Sequence, residues 1–127
     1  MSANYLNKVN TGWELSTRLH DQKDYNNSAS RMYYAVFQAV LFYAIRKEKF
    51  NRETALKDKK NVHILMKRVV KEKMKDFKNA FDAYEDLRVL RNQADYDPED
   101  VRQSDLNSGF INSVETIKNF FLKEATK

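Results

Sequence analysis

Between Ser28 and Lys49 the chain carries apolar residues at helical spacing, with neither proline nor glycine to interrupt them. Ala29, Tyr33, Val36, Phe37, Val40 and Ala44 recur every three or four residues, and Met32, Leu41 and Ile45 widen the stripe. A stripe this broad must be covered by several neighbours, so the segment predicts a long helix at the centre of a core. Asn27 or Ser28 supplies a short side-chain oxygen suited to cap its start.

The rest of the chain is compatible with helices around that centre. Its 127 residues suit a single domain, and 42% hydrophobic residues with only two glycines and one proline favour an all-α protein. The absence of cysteine excludes disulfides, thiolate metal sites and a cysteine nucleophile. The opening MSANYLNKVNTG lacks the charged start and apolar core of a signal peptide. No stretch approaches the roughly 18 uninterrupted apolar residues of a membrane span, so a cytoplasmic protein with no membrane partner is expected.

Residues 4 to 22 read as a first helix with Leu6, Trp13, Leu15 and Leu19 on a loose apolar face, ended by the polar run from Asp24 to Ser28. Residues 50 to 60 are polar and aperiodic, a surface connection. A third helix is expected from Asn61 to Lys75, with Val62, Leu65, Met66, Val69 and Val70 on one side and Lys67, Lys71 and Lys75 on another. A fourth, over residues 79 to 96, would pack Phe81, Tyr84, Leu87, Val89, Leu90 and Ala94. It should stop near Tyr96, because Asp97 precedes Pro98 and a residue before proline is pushed out of the helical region. Ser104 is the expected cap of a last helix to Lys123 carrying Phe110, Ile111, Val114, Ile117, Phe120 and Phe121. Five helices, no strand and no internal repeat result.

The net charge of +5 is unevenly spread. Residues 46 to 78 hold 13 Lys and Arg against 5 acids, whereas residues 79 to 127 hold 6 against 10. The basic segment is either a solvated helix face with a lysine-rich loop or an electrostatic footprint for nucleic acid or another anionic surface.

Two histidines 43 residues apart, His20 and His63, give no support to a zinc site, so no metal is expected. Gly12 and Gly109 stand alone, which leaves neither a phosphate loop nor a nucleophile elbow. Two clusters remain. In SASRMYYAVFQA, residues 28 to 39, Arg31 and Tyr34 lie three apart and share a helix face. In RNQADYD, residues 91 to 97, Arg91 and Asp95 share a face with Arg88, while Asn92 and Tyr96 form an i, i+4 pair one step round. A guanidinium with fixed donors beside a phenol and a carboxamide suits a phosphate. The same spacing equally describes an ordinary Arg91–Asp95 ion pair worth a few tenths of a kcal/mol. Asp97, Glu99 and Asp100 read as the capping and solvation of a turn at Pro98.

SRMYYAVFQA at residues 30 to 39, followed by RNQADYD at 91 to 97 in an all-helical chain of this length, resembles the small prokaryotic HEPN-domain proteins. The resemblance implies an up-and-down helical bundle, commonly a homodimer, in which the motif-bearing helices face each other and two arginines line one cleft. Many HEPN proteins are metal-independent endoribonucleases whose motif is an arginine, often a polar residue, then four to six residues and a histidine. Arg91 and Asn92 match its start, but the histidine is absent, and Asp95, Tyr96 and Asp97 stand where it would be sought.

In such a reaction arginine stabilises charge on the phosphate and histidine moves protons. An aspartate near pKa 3.9 is a poor acid at neutral pH and a tyrosine near 10 a poor base. His63 would supply the missing group only if the third helix lies beside the motif. The resemblance implies a component of a toxin-antitoxin or defence module, partnered by a small nucleotidyltransferase and directed at RNA, with no cofactor. If it cleaves, Arg91 would hold the scissile phosphate, Asn92 would orient it, Asp95 or Tyr96 would handle protons, and Arg31, Tyr34, Arg88 and His63 would line the cleft. The alternatives are a non-catalytic module that binds nucleotide, RNA or a partner protein through the same cleft, and a structural dimer.

Overall fold

The computed structural model describes residues 2–51, 53, 57 and 59–127. It is an all-α helical bundle, and no strand occurs among the described residues. Its elements are α1 (Ser2–Asp21), α2 (Tyr25–Lys47), α3 (Lys59–Lys73), α4 (Ala80–Tyr96), a 3-10 helix (Gln103–Leu106) and α5 (Ser108–Ala125). No helix is long and apolar enough to cross a membrane, among the described residues.

The stripe of α2 lies at the centre, packed against α1, α3, α4 and α5. Met32, Tyr33, Val36, Val40, Phe42 and Ala44 are buried, as are Ala35 and Ala39 on what would be the polar side of a surface helix, while Leu41 and Ile45 stay half-buried. Its cap is Asp24, not Asn27 or Ser28. The Asp24 carboxylate accepts from the Asn27 amide at 3.3 Å and from Asn27 Nδ2 at 2.8 Å, which starts the helix earlier than expected. Ser28 is thereby carried inside, where its hydroxyl donates to the Ser16 carbonyl at 2.7 Å.

That contact explains why α1 presents a different face from the one expected. Leu6, Trp13, Leu15 and Leu19 are only half-buried, whereas Val9 and Ser16 are fully buried. Small residues bring α1 close to α2: a methyl group added at Gly12 would meet Ala35 Cβ at 3.5 Å. At the far end of α1, His20 Nε2 donates to the Leu106 carbonyl at 3.0 Å, so this histidine fastens α1 to the 3-10 helix. Lys118 of α5 is buried with its ammonium 4.7 Å from the Trp13 ring centroid, a second tie to α1.

Helix α3 is described from Lys59, slightly before the expected Asn61; in the expected aperiodic connection Glu53 and Lys57 are instead helical, and residues 52, 54–56 and 58 lie outside the described residues. Val62, Met66 and Val70 are buried, while Lys71 and Lys75 are exposed. Helix α4 ends at Tyr96, with Asp97 extended before Pro98 at φ −97° and ψ 142°. Val89, expected in the core, is 60% exposed. Two positions after the buried Leu87 it is rotated by about 200° round the helix, onto the outer face.

Ser104 does not cap α5; it lies inside the 3-10 helix. That turn is closed by Asp105, whose carboxylate accepts from the Arg102 amide at 2.9 Å. Asn107 then caps α5, accepting from the Phe110 amide at 2.9 Å. Val114, Ile117 and Phe121 bury the inner face of this last helix.

Candidate functional site

The two sequence clusters meet. Arg91, near the end of α4, donates through one terminal nitrogen to the Tyr34 hydroxyl of α2 at 2.5 Å and through the other to Asn92 Oδ1 at 3.0 Å. Its Nε lies 3.0 Å from Asp95 Oδ2, an ion pair whose N–H is not aligned for a hydrogen bond. The guanidinium carbon lies 5.2 Å from the centroid of the Tyr34 ring and 5.4 Å from that of Tyr96. The guanidinium is therefore held along its edges by three side chains and lies against two aromatic rings.

Burial opposes the charge of Arg91, but Tyr34, Tyr96 and Asp95 outweigh it and hold the proton more tightly than an ordinary guanidinium does. An arginine offers five N–H donors, so this immobilised group retains capacity for an oxyanion. Tyr96 is 75% exposed. Its ring therefore presents an open aromatic surface next to a fixed cation.

Behind this pair is a second, drier layer. Tyr33 is fully buried, and its hydroxyl lies 2.5 Å from His63 Nδ1 of α3. The imidazole also stacks on Phe37 at 4.4 Å between centroids. Burial, reinforced by Arg88 and Arg91, lowers the His63 pKa to about 4. Burial raises that of Tyr33 to about 12 against the opposing pull of Tyr84, Arg88 and Arg91. The Tyr84 hydroxyl is fully buried beside Tyr33 without an aligned hydrogen-bond partner, and its pKa is likewise raised, first by burial. All three rings are neutral at pH 7. The layer supplies shape and a low dielectric rather than a mobile proton.

Of the sequence-predicted residues, Arg91, Asn92, Asp95, Tyr96 and Tyr34 come together in direct contact. His63 and Arg88 stand next to them, linked through Tyr33 and through the charge on Arg88 that His63 senses. Arg31 is exposed and joins none of these contacts among the described residues. Nor does any group of three His, Asp or Glu side chains positioned to hold a metal ion occur among them.

The acids after the site serve the turn. Asp97 Oδ1 accepts from the Glu99 amide at 2.8 Å, and Gln93 Nε2 donates to the Asp100 carbonyl at 3.0 Å. Asn26 then clamps the loop to the start of α2, donating to Asp100 Oδ1 at 2.9 Å and accepting from the Val101 amide at 2.8 Å. Asn26 and Gln93 tie down the loop, and Tyr33 and Tyr84 build the buried layer, contributions that sequence reasoning missed. The first two are ordinary polar residues without a spacing signal, and the tyrosines lay within an apolar stripe.

Comparison with protein-family models, curated proteins and solved structures finds no match.

Proposed function

We propose that the Arg91 cluster is a phosphate-binding site for a nucleotide or RNA in a HEPN-like, non-catalytic binding module. The observation that carries this reading is the fixed guanidinium, hydrogen-bonded to Tyr34 and Asn92 and 5.4 Å from the ring centroid of the exposed Tyr96. A phosphate would take the remaining guanidinium donors, and Tyr96 would offer its face to the attached base. The contact between Tyr34 and Arg91 supports the HEPN resemblance, because each residue lies in one of the two motifs that carry it.

Binding is favoured over cleavage by the state of the titratable groups. His63, the one histidine near the site, has its Nδ1 engaged by Tyr33 and a pKa of about 4, which makes it a weak base and no acid at neutral pH. Asp95 is occupied by Arg91. On this reading the protein acts by holding RNA or nucleotide within a prokaryotic toxin-antitoxin or defence module, as a homodimer partnered by a small nucleotidyltransferase.

Calorimetric titration with uridine monophosphate tests the site. Binding that weakens about tenfold or more in Arg91→Ala, with the helical circular dichroism unchanged, is the expected result. Equal binding to wild type and Arg91→Ala sinks the reading. Incubation with RNA in chelator separates the two activities: intact RNA is expected, and Arg91-dependent cleavage would restore the ribonuclease alternative.

A further inference from the structure

The flank of α4 that carries Arg91 continues towards its N-terminal end through Arg88, Glu85 and Phe81, spaced three and four residues apart. Facing it on α3 are His63, Lys67 and Lys71, four residues apart and running the other way. The contacts fix this register. Lys71 Nζ lies 5.3 Å and Lys67 Nζ 5.8 Å from the Phe81 ring centroid, Lys67 pairs with Glu85 at 3.1 Å, and His63 feels the charges of Arg88 and Arg91. Lys67 and Lys71 of the basic segment therefore lie along the same flank of α4 as the Arg91 cluster.

Among these side chains the cations outnumber the acids. Lys67 is answered by Glu85 and Arg91 by Asp95, while Lys71 and Arg88 have no carboxylate within ion-pair distance among the described residues. Lys71 is exposed, and its ammonium is held against an aromatic face. From Phe81 to Arg91 is about 15 Å along the helix axis. At roughly 3.4 Å per nucleotide of a stacked strand, that distance is about four phosphate steps. Aromatic rings interleave with the cations at both ends, Phe81 at one and Tyr34 and Tyr96 at the other. Cations alternating with ring faces suit a strand whose bases are free to stack, more than a base-paired duplex or a lipid surface.

We infer that Lys71, Lys67 and the face of Phe81 form a second phosphate subsite along the line where α3 packs on α4, and that the ligand of Arg91 is a single strand spanning both. This rests on the Arg91 reading given above and extends it from a nucleotide to a strand with a defined path. Lys71 contacts a phosphate about four steps from the one at Arg91, and Arg88 lies between them.

The test uses the full chain, uridine monophosphate, and fluorescent oligouridylates of two to eight nucleotides followed by anisotropy. Affinity should climb with length and level off once both ends are occupied, near five or six nucleotides by the roughly 3.4 Å spacing. Lys71→Ala should weaken the six-nucleotide strand about three- to tenfold and reduce the slope of log affinity against log salt by about 0.7, with mononucleotide binding unchanged. Lys71→Arg should retain the wild-type affinity for the strand.

Affinity independent of length, an unchanged strand affinity in Lys71→Ala, or tighter binding of a duplex of equal length would each overturn the subsite while leaving the Arg91 site standing. If the mononucleotide fails to bind wild type, the Arg91 reading falls first. Strand binding that still required Lys71 would then overturn the two-site form, because the strand would be held without Arg91.

Discussion

The two flanks of α4 share one helix and one core, yet they handle their polar groups in opposite ways. On the flank facing α3, Lys71 and Arg88 have no acid partner among the described residues, and Arg91 is immobilised with donors in reserve. On the flank facing the 3-10 helix and α5, Asp86 and Asp105 border a cavity of about 260 Å³ floored by Leu90 and Phe110. There Gln93 and Asp105 are spent on closing the chain, Gln93 holding the loop after Pro98 and Asp105 the 3-10 turn, while Asp86 is an acid with no cation within ion-pair distance among the described residues. Both flanks are charged, so charge alone does not mark a site. The difference is whether the donors and acceptors have already been used within the fold.

The change expected to disturb both flanks most is Leu87→Ala. Leu87 is fully buried beneath them, and its truncation should cost about 2–5 kcal/mol of stability in urea unfolding. A cost below about 1 kcal/mol would show that the flanks do not share a floor.

Arg91→Ala separates them. It should lower affinity for uridine monophosphate about 10- to 100-fold, in line with the roughly 1.5–3 kcal/mol of hydrogen bonds to charged groups, while Asp86→Asn leaves affinity within about twofold. An equal loss in both variants would erase the distinction. Asn26→Ala should do the reverse, costing about 1–2 kcal/mol of stability through its two hydrogen bonds to the loop. Nucleotide affinity should hardly move.

A pH dependence originates on the flank facing α3. His63 titrates at about 4 in the folded protein and near 6.5 when unfolded, so between these values the unfolded chain binds more protons. Its contribution to stability is complete above about pH 6.5 and is lost as pH falls towards 4. Urea unfolding at pH 5 and pH 7 should therefore differ less in His63→Gln than in wild type. An identical difference in the two proteins would remove His63 as the cause.

Much of the fold could be read before any coordinates. The stripe on α2 and the stop at Tyr96 follow from periodicity and from Pro98, which act locally. The caps were misplaced because Asn27, Ser28 and Ser104 are as competent chemically as Asp24 and Asn107, and tertiary packing selects among them. Packing also turned α1 onto Val9 and Ser16, since close approach at Gly12 and Ala35 outweighed the larger side chains at Leu6 and Leu19. In the site, the Arg91–Asp95 pair was legible as an i, i+4 spacing. The Tyr34–Arg91 bond joins residues 57 apart, and no single-chain periodicity encodes such a meeting.

The packing of α2 against four neighbours has a consequence measured in time. Amide protons from Met32 to Ala44 lie on a helix that all four of its neighbours cover, so no single neighbour's departure frees them. Their exchange with deuterium should wait for the unfolding of the whole domain. Those of α3, whose packing on α2 and α4 is the sparsest of the four neighbours, should exchange through a smaller opening and at a faster rate. The molecule would thus lose α3 first and its centre last.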